Sequence, residues 1–477
     1  MPETRPDDSH VPQIAADTRA ALRDLVHDAV LRLAKAQAEL PPEWDTASDW
    51  SRGRDGNLRE IKKRIRILRP MAAGEWHRLP AYDKCTQALK ADEIIGPHLD
   101  RLVGTSISAS RIEVDDILQS VIYRMVDHEG NFEFTDDRLA DMWGKLAEFF
   151  VATHIPWTMV APLPRLKVPT LPLRLNDEIV LDRLTDDEVT RCCACGVLRP
   201  DAPQLPLIYA DMAVGIRFTR RLPKVIRVDG ETISLPRESE GRFGSRPILR
   251  EDLVVDDVLS ALRILKHGRV RATGYATWTD SPLFLGGLSF RVLGQWPYGG
   301  DYDLAESEVP ELRELWQLLV SAGRRFGFSI HRFSRAFDRG LLVDRIVDLV
   351  IAAESLFLGD SGAKDRGELR FRFALRAAKF IEDLPYDELE TFRVMRRAYD
   401  VRSTVVHGGV PDDTRLPDND SATLQIFTDA IEELVRLALR KALSMNESGD
   451  RLRQSAYWDS LVLSGPGSSG LPPVVGA

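Results

Sequence analysis

Near residue 400 the chain reads Tyr399-Asp400-Val401-Arg402-Ser403-Thr404-Val405-Val406-His407-Gly408-Gly409. Two of these side chains can do complementary work on a phosphodiester. Histidine exchanges protons near neutral pH, so His407 can serve as base or as acid. Arg402 offers a planar fork that stays charged and matches phosphate oxygens. Cleavage without a metal needs a base for the attacking hydroxyl, an acid for the leaving oxygen and positive charge at the phosphorane. One chain brings one such histidine; a two-fold dimer brings two of each residue into one cleft. The spacing alone is not distinctive, because comparable Arg–His offsets recur at Arg5/His10 and at Arg324 or Arg325/His331. The same residues also have an internal use, with Arg402 pairing with Glu354 or Asp400 and His407 donating to a backbone carbonyl.

Other chemistries leave weaker traces. Cys192, Cys193 and Cys195 sit in RCCACG, but no second pair follows at zinc-site distance. They read as small apolar packing, with redox or metal chemistry as the alternative. There is no H-E-x-x-H, no G-x-x-x-x-G-K-[ST], no helix-opening G-x-G-x-x-G and no G-x-S-x-G. This weighs against ATPase, dinucleotide and esterase readings, and no metal or cofactor is expected.

Two segments are basic. LREIKKRIRILRP, residues 58–70, reads as a helix with Leu58, Ile61, Ile65 and Leu68 on one face and five cations on the other. It suits RNA, an anionic membrane surface or a partner, or is a solvated face. AKDRGELRFRFALRAAKF, residues 363–380, sets Lys364, Arg366, Arg370, Arg372, Arg376 and Lys379 against Asp365 and Glu368. Arg393, Arg396 and Arg397 follow it. Arg370, Arg376 and Arg397 are the candidate contacts to a nucleic-acid backbone.

Elements must hold these residues in place. Leu22, Leu25, Val26, Val30 and Leu33 fall at helical spacing, ended by Pro41–Pro42. Ile112–His128 reads as helical, and Thr135 caps a helix running to about Phe150. Candidate strands are Trp157–Ala161, Glu178–Leu181, Gly215–Phe218, Arg269–Ala276 and Leu288–Leu293. Thr185 with Glu188 makes a capping box, and Val254–Lys266 reads as a helix. Further helices are expected at about Asp344–Phe357, Arg366–Ile381, from Tyr386, and at Ser421–Met445. The expected fold is multidomain α+β: a helical region at 1–155, a small mixed α+β domain at 156–304, a helical bundle at 305–446 and a flexible tail at 447–477.

The chain has 477 residues, 44% hydrophobic and 29% charged, which excludes a disordered or collagen-like polymer. A net charge of −9 means that any nucleic-acid site must be a local patch on an acidic body. Four cysteines make no disulfide framework. The start MPETRPDDSHVP lacks an apolar core, and the apolar run at 341–358 is broken by Asp344, Arg345, Asp348 and Glu354. A soluble, cytoplasmic protein without a membrane partner is expected.

Three pieces, DRIVDLVIAAESLF, GELRFRFALRAAKFI and YDVRSTVVHGG, make residues 305–446 resemble the Apea-like branch of the HEPN superfamily. Glu354 matches an acidic family position, Arg376 an arginine in the next helix, and Tyr399 to Gly408 the final motif. The resemblance implies an antiparallel helical bundle and an activity familiar in that superfamily, that of a metal-independent endoribonuclease acting at a homodimer cleft. Arg402 and His407 would be catalytic, supported by Ser403, Asp400, Glu354 and Tyr399. Ser403 stands where many active members carry Asn, Asp or His. The superfamily also suggests a bacterial phage-defence or toxin-type effector, with residues 1–300 sensing a trigger or docking a partner. The alternative is a non-catalytic module for dimerisation and RNA or nucleotide binding.

Overall fold

The computed structural model describes residues 14–39, 44–52, 58–66, 76–105, 109–126, 131–198, 214–228, 231–234, 251–279, 281–283, 288–293, 302–360, 368–382, 387–409 and 421–463. Pro41–Pro42, Leu68, His128, Lys364, Arg366, Arg5, His10 and the tail from 464 onward lie outside the described residues. The chain is mixed α+β. Its elements, in order, are α1 (Ala16–Glu39), β1 (Trp44–Arg52), β2 (Leu58–Arg66), α2 (Tyr82–Ala91), β3 (Arg101–Gly104), β4 (Ala109–Ile112), α3 (Val114–Ile122), α4 (Asp136–Val151) and β5 (His154–Pro162). There follow β6 (Leu166–Lys167), β7 (Leu173–Arg174), β8 (Ile179–Arg183), α5 (Asp186–Ala194), β9 (Val214–Pro223), β10 (Val225–Val228), β11 (Glu231–Ser234), α6 (Glu251–Leu265), β12 (Gly274–Thr279), β13 (Ser289–Val292) and β14 (Tyr302–Asp303). The rest is helical: α7 (Val309–Ala336), α8 (Leu342–Phe357), α9 (Leu369–Ile381), α10 (Glu388–Val406), α11 (Ser421–Ser444) and α12 (Ser455–Leu463). None of the described helices is long and apolar enough to cross a membrane.

Two compact units emerge where three domains and a tail were expected. The first gathers 1–162, 176–248 and 274–294; the second gathers 163–175, 249–273 and 295–477. In the first unit, the strands run β13-β12-β5-β9-β8 in one sheet and β11-β10-β3-β4 in another. β5 and β9 pair antiparallel over nine residues, from His154↔Pro223 to Pro162↔Gly215. Ile155, Trp157 and Met159 alternate inward on β5, as a half-buried strand requires. The capping box of α5 forms: Thr185 Oγ1 accepts from Glu188 N–H at 3.2 Å, and Glu188 Oε2 accepts from Thr185 N–H at 2.8 Å.

The first 155 residues are not all helical. β1 and β2 form an antiparallel hairpin pairing Trp44↔Arg66 through Arg52↔Leu58. Residues 58–66 are therefore a strand, which corrects the helix expected over 58–70. The apolar spacing follows the helical period, but the β-branched Ile61 and Ile65 and the nine-residue pairing with β1 favour the extended chain. Ile112 likewise ends β4, so α3 starts only at Val114.

In the second unit α8 is the hub, in contact with α7, α9, α10 and α11. Its apolar face, with Ile346, Leu349, Val350 and Ala353, is buried; each of the three larger side chains contributes about 1.5–3 kcal/mol. Three of its charges make internal pairs. Asp348 accepts from Arg332 at 2.9 Å and Arg339 at 2.5 Å, both near the end of α7. Arg345 donates to Glu432 of α11, and Glu354 pairs with Arg402 of α10. Misplacing any neighbour strands a buried charge, so these pairs specify the arrangement. Residues 447–463 are not a flexible tail: α12 places Trp458, 1% exposed, against Phe357 and Phe380 at 6.0 and 5.8 Å.

Candidate functional site

The motif lies on α10. Asp387 caps its start, accepting from Glu390 N–H at 2.8 Å. Thr391, Met395, Ala398 and Val401 form its buried stripe. The helix ends in a Schellman turn: Gly408 N–H donates to Val405 C=O and Gly409 N–H to Thr404 C=O, both at 2.9 Å. Gly408 has φ +78°, a conformation that favours glycine. His407 is the cap residue of this turn, and it is exposed.

Arg402 is held differently. Its Nη2 lies 3.0 Å from Glu354 Oε2, with side chains 25% and 18% exposed. Its Nε is buried without a hydrogen-bond partner among the described residues. Burial pushes the Glu354 carboxyl up, and the Arg402 charge offsets this only in part. Tyr399 packs on Phe373, ring centroids 5.5 Å apart; burial pushes its hydroxyl up, and the Glu354 charge adds to that. Asp400 turns to α9, where both carboxylate oxygens accept from Arg370 Nη1, at 2.9 and 3.0 Å. Ser403 is half-buried, and its carbonyl accepts from His407 N–H at 3.2 Å. Residues five apart on an ideal helix point about 140° apart. The helix alone does not aim Arg402 and His407 at one phosphate.

Of the candidate RNA contacts, Arg376 is misplaced for that role. It is 4% exposed, clamps Asp360 at 2.6 and 3.0 Å, and donates to Phe357 C=O at 2.7 Å. Its guanidinium also lies over the Trp458 ring at 5.2 Å. A buried carboxylate needs such a partner, and this one has claimed the cation. Arg376 thus pairs with Asp360. Arg397 is half-buried, over the Phe427 ring at 5.5 Å. Arg370 is exposed and lines a shallow hollow of about 450 Å³ with Glu368, Phe371 and Arg396. Phe371, 47% exposed, was not among the expected site residues; an apolar side chain among cations carries no sequence signal of its own.

The remaining clusters do not build a competing site. Cys192 is buried and Cys193 and Cys195 are half-buried; burial pushes the thiols of Cys192 and Cys195 up, away from reactive thiolates. His267, Asp429 and Glu432 bring ligand-type atoms within 4.8 Å of one another. Glu432 already accepts from Arg345 and Arg436, whose charges oppose a cation there. No family model, no curated protein and no solved structure matches the chain.

Proposed function

We propose that residues 305–446 form a HEPN-type antiparallel bundle that dimerises and cleaves RNA without a metal. The observation that carries this reading is the end of α10. His407 is exposed on a fixed helix cap, while Glu354 holds Arg402 one and a half turns earlier. His407 takes the proton of the 2′-hydroxyl, whose oxygen bonds to phosphorus. The P–O5′ bond breaks, and the second copy's histidine protonates the leaving oxygen. Arg402 neutralises charge on the phosphorane, and Glu354 and Tyr399 position Arg402. Arg370, Arg396 and the exposed Phe371 offer cations and a stacking face to single-stranded RNA. The products are a 2′,3′-cyclic phosphate and a 5′-hydroxyl.

A cytoplasmic phage-defence or toxin-type effector is the biological role proposed with this chemistry, triggered through residues 1–300. One observation favours a second reading, a non-catalytic dimerisation and RNA-binding module: the Arg402 guanidinium already has an internal partner in Glu354. Incubation of wild type, Arg402→Ala and His407→Ala with a mixed RNA pool in EDTA separates the two. Cleavage lost in both variants, with RNA binding kept, supports the nuclease; binding without cleavage by wild type supports the module.

A further inference from the structure

The first unit holds a cavity of about 530 Å³ whose lining is unlike the rest of this acidic chain. Arg124, Lys145, Arg191 and Arg221 line it, with His154, against the single carboxylate of Glu148. These cations come from four places: the turn after α3, the middle of α4, α5 and the end of β9. Only the fold brings them together. Trp278, 5% exposed, lies in the wall with the Arg191 guanidinium 5.0 Å from its ring centroid. Phe149, Ile155, Pro282 and Leu288 supply apolar surface.

The cations sit in a region whose fold does not require them as core charges. Lys145 pairs with Asp141 at 2.7 Å and Arg191 with Asp187 at 2.8 Å, both exposed helix pairs. Such pairs are worth about 0.2–1 kcal/mol and open readily for a stronger anion. Arg124 and Arg221 are exposed at the rim. Asp141 and Asp187 offset two of the four cations, and Arg124 and Arg221 add further positive charge at the hollow, which favours an anion there.

We propose that this cavity binds a nucleotide, its phosphates among Arg124, Lys145, Arg191 and Arg221 and its base against Trp278 and the apolar wall. The volume falls in the range of about 300–1,000 Å³ typical of small-molecule sites. It is too confined for a duplex. A bare inorganic anion would leave the aromatic and apolar wall unused. Phosphates matched by guanidinium forks and a base matched by an aromatic face are the two halves of a nucleotide. The proposal does not depend on the nuclease reading.

Calorimetric titration of the full chain tests it, with ATP, GTP, CTP, UTP, tripolyphosphate, adenosine and a ten-nucleotide RNA as probes. At least one nucleoside triphosphate is expected to bind more tightly than tripolyphosphate and adenosine, with an affinity that falls as salt rises. Arg124→Glu with Arg221→Glu should weaken it at least tenfold with an unchanged melting temperature, since both side chains are exposed. Trp278→Phe should keep phosphate-dependent binding but change the order of preference among bases. The proposal is overturned if no triphosphate binds at millimolar concentration, or if binding survives the double reversal. It is equally overturned if tripolyphosphate binds as well as every nucleotide, or if only the RNA binds.

Discussion

Arg370 and Arg376 lie six residues apart on α9, yet removing them should have opposite consequences. Arg376 is 4% exposed, and Asp360 loses its clamp when it goes, keeping the Ser455 hydroxyl at 2.8 Å and a longer pair with Arg372 at 3.7 Å. Removing one partner of a buried pair costs about 3–5 kcal/mol. Losing the bond to Phe357 C=O leaves a buried acceptor as well. Total stability of a domain is about 5–15 kcal/mol, so Arg376→Ala should remove a large part of it. Arg370 and Asp400 are 44% and 30% exposed, a surface pair worth about 0–1 kcal/mol. Urea unfolding followed by circular dichroism should find Arg370→Glu within about 1 kcal/mol of wild type and Arg376→Ala several kcal/mol below it. In filter binding to single-stranded RNA, Arg370→Glu should flatten the salt dependence by about 0.7 log unit per log unit of salt. Burial opposes ionisation of Asp360, but hydrogen bonds from Arg376 and Ser455 hold its carboxyl below the ordinary range. That contribution is therefore present above the ordinary carboxylate range and lost as pH falls through the lowered folded value. A stable Arg376→Ala protein with a flattened salt slope would refute the assignment.

Three further outcomes follow from the geometry. Burial, aided by the Lys224 charge, pushes His98 down to about 4, so it stays neutral while an unfolded histidine takes a proton. Unfolding free energy should therefore fall as pH drops from about 6.5 to about 4, by up to about 3 kcal/mol; an acid limb unchanged in His98→Asn contradicts this. Gly408→Ala meets no atom within 4 Å, so its cost is the strain of φ +78° alone, about 1 kcal/mol by thermal melting; no loss would contradict the Schellman geometry. The full chain should sediment as a dimer at tens of micromolar, a concentration range where weak dimers populate; a strict monomer counts against a shared cleft.

Much of the second unit was legible because its signals are local. The stripe of α8 and the end of α10 are written in residues three or four apart, and three of the charges that interrupt 341–358, Arg345, Asp348 and Glu354, form internal pairs. The Thr185 capping box and the strands at 157–161 and 215–218 were readable for the same reason. The hairpin at 44–66 was not, because Leu58, Ile61 and Ile65 fall at helical spacing, while the strand is set by its pairing with 44–52. Arg376 could not be told from a surface cation, since its partner Asp360 lies 16 residues earlier, outside α9. The tail hid α12 because one buried Trp458 carries most of its anchoring. Nothing in the sequence groups Arg124, Lys145, Arg191, Arg221 and Trp278, which are spread over five parts of the chain.

The chemistry of the product ends tests the central claim most directly. Wild-type protein should cut RNA in EDTA to leave 2′,3′-cyclic phosphate and 5′-hydroxyl termini, and should spare DNA, which lacks the attacking hydroxyl. His407→Ala should slow this by about 10²–10⁴. Cleavage that needs added Mg²⁺, that leaves 5′-phosphate ends, or that persists in His407→Ala would contradict the account.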